Sequence, residues 1–168
     1  QQSKRAMESK ADFSDMTPTI VKMPVFESFY IRNKGYNSNI KETWQKLQTW
    51  ILTNNITNYK QIALFHDNPT ITPLNDCQYI GCVVVDNPQK VKSDRLPNFK
   101  ISDGVYAKFD LKGKTGDVLP FIHWVYHEWL PKSEYETTTK PSYAIYEKLD
   151  ILDESDEFEL SFYVSINF

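Results

Sequence analysis

Residues 40–51 read IKETWQKLQTWI, and four large apolar side chains recur in this stretch at Ile40, Trp44, Leu47 and Ile51. The spacing i, i+4, i+7, i+11 places all four on one face of a helix. Strand-like apolar runs flank this helix at residues 25–32, 62–65 and 81–85. The stretch and its surroundings therefore predict a strand–helix–strand–strand unit, in which one helix covers one face of an antiparallel sheet.

The same order of elements returns in the second half of the chain. A strand-like run from Val105 to Leu111 precedes a second stripe of Leu119, His123, Tyr126 and Leu130, and a shift of 79 positions carries the first stripe onto the second. Residues 143–149 and 158–166 complete the second half as strands. We expect an α+β fold of two pseudo-symmetric strand–helix–strand–strand modules with antiparallel sheets around a central ligand cleft.

The domain boundaries follow from the composition along the chain. Residues 1–16 are charged and poor in large apolar side chains, which predicts a linker or disordered tail. The folded domain is expected over residues 17–168. It divides into module one at 17–86, a polar, proline-containing connection at 87–100 and module two at 101–168.

Composition and charge exclude several classes of function. A net charge of -3 argues against direct binding of a nucleic-acid backbone by this chain. No apolar run is long enough to span a bilayer, so we expect no membrane partner and a cytoplasmic location. We interpret Cys77 and Cys82 as ordinary thiols. No metal or cofactor is expected, because a core role is favoured over metal binding for His123, which lies four residues before His127.

Several short motifs, taken in their order and spacing, resemble one known family, the GyrI-like domain. This domain is also the effector-binding domain of AraC-type and MerR-type transcription regulators. The resemblance covers roughly residues 17–168. The segments that carry it are Arg32-Asn33-Lys34-Gly35-Tyr36, residues 66–73 (HDNPTITP), residues 77–83 (CQYIGCV), Gly104-Val105-Tyr106-Ala107, and residues 129–136 (WLPKSEYE). Within the second segment, Asp67 is interpreted as a turn-capping group rather than a catalytic one.

The resemblance implies a cleft for bulky, lipophilic and often cationic small molecules, and some free-standing members resemble hydrolases. The family tends to place a glutamate two residues before a tyrosine on the strand after the Trp-Leu-Pro loop. Here that position is Ala144, two residues before Tyr146. Glu147 would point to the opposite face of a strand, so it does not replace the carboxylate without a bulge. We therefore expect a pocket that prefers neutral or weakly polar aromatic ligands.

Aromatic side chains are the candidates for ligand contact, since their faces stack on planar ligands and attract cations. Each of them is also a plausible core residue. The predicted ligand-binding residues are Tyr36, Phe65, Tyr106, Trp129, Ala144 and Tyr146. No residue is predicted to be catalytic.

The sequence thus predicts the effector-binding domain of an AraC-type transcription regulator, not an enzyme. Its partners would be a small lipophilic or aromatic ligand, and DNA only through a separate upstream helix-turn-helix domain; a homodimer is compatible with this interpretation. Two alternatives remain open. One is a free-standing protein that sequesters or hydrolyses a xenobiotic. The other is a module that modulates a toxin or topoisomerase through its acidic hairpin at residues 150–159.

Overall fold

The computed structural model describes residues 12–35, 39–67, 71–87, 91, 96–149 and 157–167. The strands are β1 (Thr19–Met23), β2 (Phe26–Lys34), β3 (Tyr59–Phe65), β4 (Gln78–Val85), β5 (Asn98–Ile101), β6 (Gly104–Lys114), β7 (Glu136–Thr137), β8 (Ser142–Leu149) and β9 (Glu157–Asn167). The helices are α1 (Asn39–Thr53), α2 (Val118–Trp124) and α3 (Leu130–Lys132). A π-helical turn (Val125–Trp129) joins α2 to α3, and short 3-10 turns lie at Leu74–Asp76 and Thr115–Asp117.

The strand order confirms the two predicted modules. The sheet runs β1-β6-β9-β8-β3-β4-β2-β5, with β7 paired to β9, and all of its pairings are antiparallel. Module one supplies β2, α1, β3 and β4, and module two supplies β6, α2, β8 and β9 in the same order. The two modules meet where β3 pairs with β8, so a pseudo-dyad passes between these central strands.

The two outer strands are exchanged between the modules. β1 precedes β2 by only two residues but pairs with β6, and β5 precedes β6 by two residues but pairs with β2. The exchange is symmetric, because Met23 pairs with Gly104 while Ile101 pairs with Phe26. Two residues of extended chain span only about 10 Å. The opposite ends of the strand order must therefore approach each other, which requires the sheet to curl into a half-barrel.

Side chains alternate between the two faces of the sheet, and a separate core lies on each face. The helix-side core contains α1 and α2 together with residues such as Ala63, Phe65, Phe109 and Phe162. The inner core fills the curl of the sheet with a second set of buried residues, namely Ile62, Leu64, Ile80, Cys82, Ile101, Tyr106, Tyr143 and Tyr163. Strands β3, β4 and β8 are buried on both faces, because residues adjacent in their sequence enter different cores.

The first predicted helical stripe is confirmed. Trp44, Leu47 and Ile51 are buried, and Ile40 packs against the same core. The second predicted stripe is wrong by one residue. Leu119, His123, Tyr126 and Leu130 are only partly buried, whereas Val118, Ile122 and Val125 are buried.

The correct offset between the helical stripes is 78 positions, which carries Ile40, Trp44, Leu47 and Ile51 onto Val118, Ile122, Val125 and Trp129. One helical residue advances the direction of a side chain by about 100°. A shift that is wrong by one residue therefore selects the flank of the buried face instead of its centre.

Two boundaries of the modules differ in detail from the expected ones. Phe13, within the expected tail, is buried against Phe121 with ring centroids 5.4 Å apart, and residues 1–11 lie outside the described part. Strand β5 begins inside the expected connection, at Asn98. None of the described helices is long and apolar enough to cross a bilayer.

Several single residues that the sequence analysis singled out have defined surroundings in the structure. Cys77 and Cys82 are both buried. The Asp67 carboxylate accepts a hydrogen bond of 2.6 Å from the Gln78 backbone N–H at the start of β4, and residues 68–70 of the turn that it was predicted to cap lie outside the described part. His123 and His127 stack with ring centroids 5.1 Å apart. Burial, and then the neighbouring His127, lowers the pKa of His123. The described residues contain no cluster of three metal-ligating side chains.

Candidate ligand-binding site

The central cleft is the helix-side face of β3 and β8, between the two main helices. α1 packs over β2 and β4. From α2, Phe121 contacts Phe109 on β6 and Phe162 on β9. The pseudo-dyad strands β3 and β8 therefore lie beneath the junction of the modules, where binding pockets commonly form.

A row of small residues crosses the floor of this cleft. Ala144 pairs with Ala63 across the pseudo-dyad, and Ala63 pairs in turn with Gly81. On the other side Ala144 pairs with Phe162. Directly paired residues point to the same face of a sheet. The floor consequently carries only methyl groups and a glycine around the position where the family resemblance places a carboxylate.

Two aromatic rings cover part of this floor of small residues. Phe65 and Phe162 lie on strands β3 and β9, with β8 between them, yet their ring centroids are only 5.9 Å apart. The methyl group of Ala144 leaves room for this contact, and Ala144 is fully buried. Part of the space that a longer side chain at position 144 would occupy is thus filled by hydrocarbon.

A cluster of three aromatic side chains, Trp44, Tyr79 and Tyr146, lies beside the floor. Trp44 on α1 donates from Nε1 to the Tyr79 hydroxyl at 2.8 Å. The Tyr146 hydroxyl lies close enough to Tyr79 for each to influence the pKa of the other. The Trp44 ring also packs edge-on against Tyr146, with centroids 6.1 Å apart. Module one therefore positions Tyr146, which belongs to module two.

The hydroxyls of Tyr79 and Tyr146 are neutral near pH 7. Burial raises the pKa of Tyr79 well above its usual range, and the neighbouring Tyr146 raises it further. Burial also raises the pKa of Tyr146, and the neighbouring Tyr79 hydroxyl lowers that pKa by a smaller amount. No carboxylate or ammonium contributes to either pKa. The described part of the cleft thus offers aromatic faces and neutral hydroxyls rather than charge.

The structure places Glu147 away from this cleft. A β-bulge interrupts the pairing of β8 with β9 between Tyr146 and Lys148. The Glu147 side chain nevertheless stays exposed. Burial raises the pKa of Tyr163, which belongs to the inner core, and the charges of Asp110 and Glu147 raise it further. The bulge therefore does not bring this carboxylate to the helix side of β8.

The predicted ligand-binding residues do not all meet in one place. Phe65, Ala144 and Tyr146 lie together on the helix side of β3 and β8. Tyr106 lies in the inner core on the opposite face of the sheet, where its hydroxyl donates to the Ser102 backbone carbonyl at 2.8 Å. Tyr36 lies outside the described residues.

Trp129 belongs to a different surface. It packs edge-on against Phe109 on β6, with centroids 5.0 Å apart, and β6 is two strands, or about 10 Å, away from β8. Trp129 lines an open groove of about 510 Å³ together with Asp12, Ser14, Met16, Trp124, Glu128, Lys132 and Ser133. Within that groove Lys132 pairs with Glu128 at 3.2 Å.

The predicted ligand-binding residues did not include three residues of the cleft. Trp44 was assigned to the helix core, and Tyr79 was part of a family motif without a role. Gln61 was not considered, although it pairs with Tyr146 and is only partly buried. The alternation of β3 and β4 could have indicated their faces, but the sequence does not contain the register between strands from different modules.

Comparison with known families identifies the class of this domain as a small-molecule-binding module. Residues 16–166 match the model of the GyrI-like small molecule binding domain. The chain belongs to this family. No curated protein sequence is similar enough to count as a match.

Solved structures share the fold at low sequence identity. The EcmrR C-terminal domain is 16% identical, with a TM-score of 0.70, and the match covers 91% of this chain and 98% of that one. In a complex of EcmrR with DNA, the match has 14% identity and a TM-score of 0.72, and it covers 90% of this chain. The chain spans 57% of that longer EcmrR chain.

Two further structures show the variety of proteins with this fold. SAV2435 bound to tetraphenylphosphonium is 12% identical, with a TM-score of 0.63 and coverage of 90% and 94% of the two chains. A hydrolase encoded by lin2189 from Listeria innocua is 9% identical, with a TM-score of 0.62 and coverage of 90% and 92%. At these identities the similarity establishes the fold alone.

Proposed function

We propose that this domain is the effector-binding part of an AraC-type transcription regulator, and that its central cleft takes bulky aromatic ligands that are neutral or weakly polar. The observation that carries the ligand preference is the uncharged cluster of Trp44, Tyr79 and Tyr146 beside Ala144. An aromatic wall still attracts an organic cation, at about 0.5–2 kcal/mol per contact. A buried carboxylate would add a larger, charge-specific attraction, and Ala144 supplies none.

The regulator role is supported by the fold shared with the C-terminal domain of EcmrR, whose full chain binds DNA. DNA binding would require a separate helix-turn-helix segment upstream, because the net charge of this chain is -3. A homodimer would match the pairing of such domains on two half-sites. Detection of a helix-turn-helix region encoded directly upstream would distinguish this role from a free-standing protein.

A hydrolase is the second candidate, favoured by the related fold of the Listeria innocua enzyme. General acid or base chemistry requires a titratable group within hydrogen-bond reach of the substrate. Ala144 provides no such group at the position where the family resemblance places a glutamate. The binding role is therefore preferred to the catalytic one.

The ligand preference is tested by titrating tryptophan fluorescence with three aromatic compounds of similar size. These are tetraphenylphosphonium as the cation, triphenylphosphine oxide as the neutral compound and tetraphenylborate as the anion. Because Trp44 packs on Tyr146, a ligand in the central cleft should alter Trp44 emission. We expect saturable changes with the neutral compound, equal to or tighter than with the cation, and none with the anion.

Two variants locate the response. Tyr146→Ala should abolish saturable binding, while Trp129→Phe should preserve it, since Trp129 lines a separate groove. A folded protein that responds to none of the compounds would contradict the proposal and favour the protein-interaction alternative. Strong preference for the cation would contradict the neutral-ligand assignment alone.

A further inference from the structure

The groove beside α2 has the size of a ligand site and lies apart from the central cleft. Its volume of about 510 Å³ falls within the range of small-molecule pockets. One wall is formed by Trp124 on α2 and Trp129 in the π-helical turn, and the other by Asp12 and Met16 from the segment before β1. None of the residues that line the groove lies on β3 or β8, the strands of the central cleft.

The segment before β1 is held against α2 by its own contacts. Phe13 is buried against Phe121 and Trp124, with ring centroids 5.4 Å and 6.1 Å apart. The Ser14 backbone N–H donates to Asp12 Oδ1 at 2.9 Å. The buried Phe13 ring therefore fixes the wall that carries the Asp12 carboxylate.

The charged groups of the groove favour a cation. Asp12, Glu128 and Lys132 contribute two carboxylates and one ammonium. Lys132 pairs with Glu128 through Oε2 alone, at 3.2 Å. No salt bridge to Asp12 is present among the described residues. The hydrogen bond from the Ser14 backbone lowers the pKa of Asp12, which is therefore ionised near pH 7.

Two indole rings lie beside these carboxylates. Trp124 and Trp129 are both only partly buried. Trp124 stacks with Phe121 at a centroid distance of 6.2 Å, and Trp129 stacks with Tyr135 at 6.4 Å, so neighbouring rings hold both indoles in place. Indole attracts a cation more strongly than the other aromatic side chains do.

The combination of indole faces and carboxylates distinguishes between kinds of cation. A guanidinium group is planar, stacks on aromatic rings and donates several N–H bonds in its plane to carboxylate oxygens. A quaternary ammonium group has no N–H to donate, and a primary ammonium group is compact and strongly hydrated. A guanidinium group therefore uses both features of the groove.

We propose that the groove beside α2 is a second binding site, which takes small guanidinium compounds. The indoles of Trp124 and Trp129 hold the planar cation, and the carboxylates of Asp12 and Glu128 accept its N–H bonds. This inference does not rest on the function proposed for the central cleft, because the two sites share no residue.

The test compares three compounds of similar length: butylguanidinium, pentylammonium and butylurea. The first is a planar cation, the second a cation that is not planar, and the third planar but neutral. Proton–nitrogen correlation spectra follow the titrations, since each of the four tryptophans gives one indole signal. We expect butylguanidinium to shift the signals of Trp124 and Trp129, and to bind about 2- to 30-fold tighter than butylurea. Pentylammonium should also bind more weakly than butylguanidinium.

Carboxylate variants test the charge recognition. Asp12→Asn changes an exposed residue and should weaken butylguanidinium binding by about 2- to 5-fold, with butylurea binding unchanged. Glu128→Gln should weaken it at least as much, because the Lys132 ammonium then loses its partner. Glu42→Gln is the matched control. Glu42 pairs with Lys46 at 3.4 Å in the same i,i+4 arrangement on α1, outside the groove, so this variant should bind normally.

Several outcomes would overturn the proposal. Equal affinities for butylurea and butylguanidinium would contradict recognition of charge, and equal affinities for pentylammonium and butylguanidinium would contradict recognition of a planar cation. Shifts confined to the signals of Trp44 and Trp50, or no saturable shift in the folded protein, would remove the site from the groove. Tighter binding of an acetylated arginine tripeptide than of butylguanidinium would assign the groove to a protein partner instead.

Discussion

Under the proposed function, Ala144 is a single small residue that leaves the candidate cleft without a charge. Its methyl group lies on the pseudo-dyad, paired with Ala63, and the Phe65 and Phe162 rings meet across the strand that carries it. The sequence could predict that the family carboxylate was missing, because that follows from one position. It could not predict that neighbouring rings fill part of the space, because this depends on three strands and their register.

At the same scale, buried phenols and one buried thiol should make stability depend on alkaline pH. Burial raises the pKa of Tyr79, Tyr143 and Tyr146 and raises that of Cys82 to about 12. The unfolded chain therefore loses these protons first. The contribution to the free energy of unfolding is complete below about pH 9 and is lost as the pH rises through the folded-state pKa values. Urea denaturation at about pH 8 and about pH 10.5 should show this loss.

Tyr143→Phe is a matched variant for that measurement. The buried Tyr143 hydroxyl has no hydrogen-bond partner among the described residues. Its removal should leave stability near neutral pH unchanged or slightly increased. The same variant should reduce the alkaline loss. An equally steep loss in the variant and the unmodified protein would contradict a role for Tyr143.

At the scale of elements, the contact between α1 and β4 depends on a glycine. A Cβ atom at Gly81 would lie 2.8 Å from Leu47 Cδ1 and 3.0 Å from Thr43 Cγ2. Leu47 is fully buried, so it has little room to move. The helix therefore approaches the floor of the central cleft closely enough for Trp44 to reach Tyr79. Sequence periodicity predicted α1 and its buried face, but it did not reveal this close approach.

Gly81→Ala should consequently destabilise the domain by about 1–3 kcal/mol, the usual cost of overpacking a core. Gly116→Ala is the control, because a Cβ atom at Gly116 would meet no atom of the described residues within 4 Å. Its effect should be close to zero or slightly stabilising. Urea unfolding followed by far-ultraviolet circular dichroism measures both variants. Equal stability of the two would show that α1 shifts without cost.

At the scale of the whole molecule, the exchanged outer strands join the modules. β1 belongs to module one in sequence and pairs with β6, while β5 leads module two and pairs with β2. β3 and β8 also pair directly. Unfolding one module would remove an edge strand and a central pairing from the other, so the domain should unfold as a single cooperative unit.

Tryptophans in each module allow a direct test of this cooperativity. Trp44 and Trp50 report on module one, and Trp124 and Trp129 report on module two. Two double Trp→Phe variants, each keeping one pair, should show unfolding midpoints that agree with the midpoint from circular dichroism of the same variant. Fluorescence of either pair changing well before the secondary structure is lost would contradict the expectation and indicate independent modules.

The sequence by itself determined the local elements, the duplication and the family. These follow from periodicity, turn residues and motif order, which depend on neighbours within a few positions. The second helix shows the limit, since a repeat of low identity allowed an offset of 79 where the buried face requires 78. Only the tertiary structure decided which candidates share a site. It separated Tyr106 and Trp129 from Tyr146 and brought Trp44 and Tyr79 to it, because register and sheet curvature are fixed by long-range pairings that no local pattern contains.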